Sequence, residues 1–177
     1  LPNGLRVVLL KSNKVPTFNM QMVVLSGVLS DKPDYRGLAS FTAAFLREGT
    51  AKRSSKDIAE QVDTLGATLN AGSGLSAMTS TVTASGLVEN FDQTLDLFAD
   101  VVRNPSFPQA EVDKYKTRTL AQLQFQRSIP QFLAAEQFQR AIYGTEHPAS
   151  LVTPPAGSIQ KLSSKDLADF HSTYYRP

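Results

Sequence analysis

GLASFTAAFLREGT, residues 37–50, is the stretch on which the reading of this chain turns. Leu38, Phe41, Phe45 and Leu46 recur at helical spacing and the run stops at Gly49-Thr50, so it reads as a short helix framed by glycines. Between the apolar residues stand Ala39, Ser40, Ala43 and Ala44. A strip of such small side chains packs closely against a sheet. It offers one hydroxyl and three methyl groups, and no imidazole nitrogen or carboxylate to bind a metal or take a proton.

Working outward, residues 5–10 (LRVVLL) follow the turn signal Asn3-Gly4 and read as a buried strand. Residues 19–26 (NMQMVVLS) read as its partner, ending at Gly27, with residues 11–17 as the joining loop. Lys32-Pro33-Asp34 is expected in a loop. Beyond the opening stretch, a second helix starts at the Ser54-Ser55 caps, runs through Ile58, Val62 and Leu65, and closes at Gly66. Residues 67–84 alternate small, polar and β-branched side chains, which predicts two strands turning near Gly72 to Gly74. Residues 90–102 carry a helical period that Asn104-Pro105 stops. Residues 108–127 predict a long helix, interrupted at Ile129-Pro130, and residues 132–143 another that Gly144 ends. A loop around Pro148, Pro154 and Pro155 leads to a last helix from Ser163, with Asp166 placed to complete a capping box. Strands and helices come in blocks. That order favours an α+β two-layer sandwich, a mostly antiparallel sheet with helices packed on one face.

The bulk properties narrow the function. A chain of 177 residues, 41% hydrophobic, can bury a substantial core, and residues 1–177 read as a single domain. Charged residues make up 19%, the formal net charge is +2, and the basic residues are dispersed. This is no electrostatic footprint for nucleic acid or an anionic membrane. The absence of cysteine removes disulfides, thiolate nucleophiles and Cys-ligated metal sites. No run approaches the roughly 20 apolar residues of a membrane helix, so no membrane insertion is expected. The chain starts without Met at a strand-like segment and ends at Tyr174-Tyr175-Arg176-Pro177, which suggests a domain excised from a longer protein.

The two histidines are the first candidates for a metal or acid–base role. His147 sits in Glu146-His147-Pro148 and His171 beside a tyrosine pair, neither with an i, i+4 imidazole or carboxylate, so both read as structural. Gly72-Ser73-Gly74 is turn chemistry, and no GxSxG or P-loop spacing is present. Glu89, Asp92 and Asp96 read as the solvated face of a helix.

The frame Gly37-Leu38-Ala39 to Gly49-Thr50 resembles the zinc-helix frame of the M16 metallopeptidases, the inverzincin group that includes pitrilysin, insulin-degrading enzyme and the mitochondrial processing peptidase. The resemblance runs along the whole chain: Leu1-Pro2-Asn3-Gly4-Leu5-Arg6-Val7, Ser26-Gly27, Gly66-Ala67, Asn70-Ala71, Asn104-Pro105-Ser106-Phe107, Tyr143-Gly144 with His147-Pro148, and Tyr174-Tyr175-Arg176-Pro177. It implies the LuxS/MPP-like metallohydrolase sandwich. Active members carry H-x-x-E-H in this frame, two imidazoles one turn apart on a common ion and a glutamate as general base. Here those positions hold Ser40, Ala43 and Ala44. The third ligand, a glutamate on the later long helix, falls near Tyr115, with a further carboxylate position at Gln122 and Glu111 or Asp113 as nearby acidic counterparts.

The resemblance therefore implies a domain without catalytic residues and without a metal of its own, zinc being expected only in an active partner. That partner would be an active M16 domain or subunit, in cis or in trans, with which this domain closes a proteolytic chamber and helps to bind extended peptides. Leu69, Asn70, Ala71, Gly72, Ser73 and Gly74 are the expected peptide-binding edge, by strand addition. Two alternatives stand beside this: a scaffold domain like the core subunits of the bc1 complex, and an active zinc metalloendopeptidase using another site. A bacterial cytoplasm or periplasm is the expected setting.

Overall fold

The computed structural model describes residues 1–12, 14–145 and 147–176. Asn13, Glu146 and Pro177 lie outside the described residues, and with them one position of the Glu146-His147-Pro148 motif and the last of the Tyr-Tyr-Arg-Pro motif. Three antiparallel strands form the sheet: β1 (Thr17–Val24), β2 (Thr68–Gly72) and β3 (Ser80–Leu87), in the order β1-β3-β2. Met20 and Leu69 both face Ala84, and Met22 and Ala71 both face Val82, so these side chains share one side of the sheet. The other side is polar, carrying Asn19, Gln21, Thr81, Thr83, Thr68 and Asn70.

The apolar side is covered by helices. The helix of the opening stretch, α1 (Leu38–Phe45), lies on β2 and β3, and α3 (Phe91–Arg103) lies on β3. Between them in sequence, α2 (Ser55–Thr64) is held by a complete capping box, Ser54 accepting from the Asp57 amide while the Asp57 carboxylate accepts from the Ser54 amide. The remaining helices are α4 (Gln109–Gln126), α5 (Pro130–Tyr143), α6 (Ala156–Lys161) and α7 (Ser164–Tyr174). Ser163 and Asp166 form the expected capping box on α7. The core joins Phe41, Phe45 and Leu46 of the α1 region to Ile58, Leu97, Val101, Phe107, Ile159 and Leu167.

Three expectations are corrected. Residues 5–10 form no strand: they join no sheet among the described residues, and Val8, Leu9 and Leu10 are exposed. An apolar β-prone run needs a pleated surface to lie on, and no described strand of this chain takes it up. Lys32-Pro33-Asp34 opens a short 3₁₀ turn at Pro33–Tyr35 rather than an open loop. Helix α6 sits where a continuous loop was expected; six residues carry too little of a 3.6-residue period to announce themselves.

Candidate functional site

Helix α1 is anchored before its first residue. Its N-cap position is Gly37 at φ +93°, a left-handed conformation that glycine adopts without strain, and glycine has no side chain to cap with. The cap comes from Asp31 instead. Its carboxylate accepts from the Gly37 amide at 2.6 Å and the Ala39 amide at 2.8 Å, satisfying two of the free donors at the helix start. Burial pushes this carboxyl above its ordinary value, against the lowering effect of both amides.

The far end of α1 is tied down more strongly. Asp100 of α3, 5% exposed, accepts from Thr50 Oγ1 at 2.8 Å, from Asn104 Nδ2 at 2.9 Å and from Arg53 Nη1. Arg53 also reaches Asp96 at 2.7 Å and Gln61 at 3.0 Å. Burial alone would raise the Asp100 carboxyl, but the Asn104, Thr50 and Arg53 donors together hold it below the ordinary carboxylate value. Backbone bonds from Ser106 to Gly49 and from Ala51 to Asn104 complete the clamp. In the sequence Gly49-Thr50 marks only the end of a frame; the i, i+4 pair Asp100 and Asn104 beside the Asn104-Pro105 break is the one local sign of its partner.

Between these anchors the three small positions meet three different surroundings. The Ser40 hydroxyl donates to the Ser73 carbonyl at 2.7 Å, binding α1 to the connection that follows β2. Ala43 is fully buried in the core, and Ala44 is exposed. Leu75 in the same connection leans on Gly37, and Gly27 admits the far end of it so closely that a Cβ there would lie 2.1 Å from the Ala77 carbonyl oxygen. The connection after β2 is thus fitted to the helix.

Of the expected edge, Leu69 to Gly72 lie in β2, which pairs only with β3 and leaves its outer side open among the described residues. Leu69 is buried beneath the strand, Asn70 is exposed, and Ser73 and Gly74 begin the connection. Arg47, in the turn just past α1, reaches Asn70 Oδ1 at 3.4 Å.

Tyr115 of α4 lies edge-on to Phe41 and Phe45, with ring centroids 5.8 and 5.1 Å away. It therefore occupies the aromatic strip of α1, next to the strip that carries Ser40 and Ala44. Burial pushes its phenol upward, opposed by the Thr119 hydroxyl and the Arg118 charge. Gln122 is exposed. Glu111 and Asp113 are engaged on their own helix, the first with Lys114 at 2.7 Å and the second with Gln109 at 2.9 Å.

His171 bonds the Val102 carbonyl through Nε2 at 2.8 Å and stacks on Tyr175 at 4.8 Å; burial pushes its pKa down, against that backbone bond. His147 stacks on Tyr143. No three His, Cys, Asp or Glu side chains among the described residues are grouped to hold a metal ion. On α1 itself the donor set does not fit zinc, since the hydroxyls of Ser40 and Thr42 are both spent on backbone carbonyls and Ala43 and Ala44 offer only methyl groups. A polar surface groove of about 810 Å³ runs between α2 and α3, lined among others by Arg53, Asp57, Glu60 and Asp96. It touches the outer side of the Arg53 clamp but none of Ser40, Ala43, Ala44, Tyr115 or residues 69–74. Among the described residues no helix is long and apolar enough to cross a membrane.

Comparison with known proteins gives one consistent answer. A family model described as Insulinase (Peptidase family M16) matches residues 6–155. The chain is 25% identical over 181 residues to the mitochondrial-processing peptidase subunit beta of Rattus norvegicus, covering 99% of this chain and 35% of that protein. To an uncharacterized zinc protease of Bacillus subtilis it is 26% identical over 178 residues, covering 99% and 42% respectively. The crystal structure of a peptidase M16 inactive domain from Pseudomonas fluorescens superposes with a TM-score of 0.83 at 27% identity, over 91% of this chain and 39% of that one. A protease from Helicobacter pylori shares the fold, with a TM-score of 0.79 at 19% identity over 92% of this chain and 39% of that one. The chain thus spans well under half the length of the relatives it matches.

Proposed function

The chain belongs to the insulinase family, peptidase family M16, and from that premise we propose that it is a catalytically silent member domain. It works beside an active M16 domain or subunit, closes a proteolytic chamber with it, and offers the open side of β2 to extended peptides. One observation carries this reading. At the three positions of the inverted zinc motif, the helix presents a hydroxyl bonded to Ser73, a methyl sealed into the core and an exposed methyl, so neither metal ligand nor general base is available there. Meanwhile the helix keeps its cap from Asp31 and its clamp on Asp100, as a scaffold would. The open edge of β2 supports the peptide role, because strand addition takes its affinity from main-chain bonds and asks for no catalytic group.

The test is a mixed peptide library incubated with the chain alone, with an active M16 subunit from the same cells alone, and with both, each with and without a chelator. No cleavage by the chain alone is expected, and chelator-sensitive cleavage by the pair should exceed that of the active subunit. Chelator-sensitive cleavage by the isolated chain would overturn the silent-domain reading. A pair no more active than the active subunit would favour a scaffold. Elemental analysis should find no stoichiometric zinc; one equivalent, lost on substituting His147 or His171, would contradict the proposal.

A further inference from the structure

Two arginines six positions apart, Arg47 and Arg53, stand in opposite circumstances. Arg53 has a partner for every part of its guanidinium, whereas among the described residues Arg47 has a single 3.4 Å bond, to Asn70. The Nε of Arg47 is buried and has no hydrogen-bond partner, and no carboxylate pairs with this side chain among the described residues. A guanidinium carries five donors, and leaving them unmet in a partly buried place is costly. Its position is specific. Arg47 follows Ala44 by three residues and Ser40 by seven, so it continues the strip of α1 on which those two lie. It also touches Asn70 in the middle of β2, the strand whose outer side is open.

From this we propose that Arg47 is a carboxylate-recognition residue of the β2 edge, selecting extended peptides that bring a carboxylate, from an acidic side chain or a free C-terminus, alongside Asn70. The proposal rests on the strand-addition reading given above. A planar carboxylate meets the guanidinium fork with two parallel bonds, stronger than the long contact to a neutral amide that it would replace. The alkyl stem of Arg47 stays where it is. Only the head group exchanges partners.

The test uses the whole chain and three fluorescein-labelled octapeptides of alternating Val and Thr. The first has one central Gln and an amidated end, the second Glu in place of Gln with the same end, and the third the Gln with a free C-terminal carboxylate. The Glu peptide or the free-acid peptide should bind about tenfold more tightly than the amidated Gln peptide, and which of the two does so identifies the source of the carboxylate. Arg47→Met should abolish the difference while leaving the weaker affinity of the amidated Gln peptide in place, and Arg47→Lys should keep part of it. Equal binding of all three to the unaltered chain overturns the role of Arg47 but leaves strand addition standing. Failure of every peptide to bind, with hydrogen exchange of the β2 amides unchanged, overturns strand addition and the present inference with it.

Discussion

The segment between α1 and α2 sends one arginine onto α3 and another to the edge of β2, and the contrast between them separates scaffold from surface. Around Arg53 the chain has assembled a closed set: Asp100, Asp96 and Gln61 on the guanidinium, Thr50 and Asn104 on the remaining acceptor sites of Asp100. Around Arg47 it has assembled almost nothing, one amide oxygen at the limit of a hydrogen bond. A closed polar network fixes geometry and makes any missing member costly, while an unfilled one leaves binding capacity for something outside the domain. Both belong to the segment that joins α1 to α2, Arg47 continuing the strip of α1 that carries Ser40 and Ala44 and Arg53 standing just before the Ser54 cap of α2.

The sharpest way to break the contrast is to open the closed side. Asp100→Ala leaves Arg53 with only Gln61 and the exposed Asp96 and takes the acceptor from the Thr50 hydroxyl, and should cost about 3 kcal/mol, read as a lower urea midpoint with an unchanged slope. A loss under about 1 kcal/mol would mean that the clamp is no stronger than a surface pair. Acid adds a signature. The folded Asp100 carboxyl titrates below its ordinary value of 3.8, so the unfolded chain takes up that proton first. Its contribution is complete above that value and is lost as the pH falls through the lower folded one. Asp100→Asn should therefore flatten the decline in stability below about pH 4, and an unchanged acid limb would remove Asp100 from the account.

A smaller effect is expected at Ser40, upstream of both arginines. Ser40→Ala deletes the bond to the Ser73 carbonyl, worth about 1 kcal/mol, but alanine is the better helix former by up to roughly 0.5 kcal/mol. The net loss should stay below 1 kcal/mol, with faster hydrogen exchange confined to the connection after β2. Exchange that quickens throughout α1 instead would show that Ser40 supports the helix itself.

What the sequence made legible follows the range of the interactions. The Ser54 cap and the capping box of Ser163 with Asp166 lie within four residues of chain, and the α1 frame within fourteen; all three could be read directly, whereas the Asp57 half of the Ser54 box is seen only in the structure. The bond from Thr50 to Asp100 and the tie from Ser40 to Ser73 join residues far apart in the chain, and no local pattern encodes them. Asp31 capping a helix six residues later escaped for a related reason, since capping rules look to the residue immediately before the helix, here a glycine. The run at residues 5–10 misled in the opposite sense. Its composition describes a side chain pattern suited to a sheet, but whether a strand forms depends on a neighbour that composition cannot supply.

The least expensive substitution is the one that bears most on binding. Arg47→Met keeps an unbranched apolar stem of similar reach and removes a buried donor that has no partner, so the lost bond to Asn70 and the relieved desolvation of Nε nearly offset each other. The expected change in stability is within about 0.5 kcal/mol, measured beside Arg53→Met, which abandons two carboxylates and should cost several times more. A large loss for Arg47→Met would show its guanidinium to be as structural as that of Arg53, and the contrast would collapse. A negligible one leaves a cation held beside an open strand at no benefit to the fold, which is the condition a recognition residue has to meet.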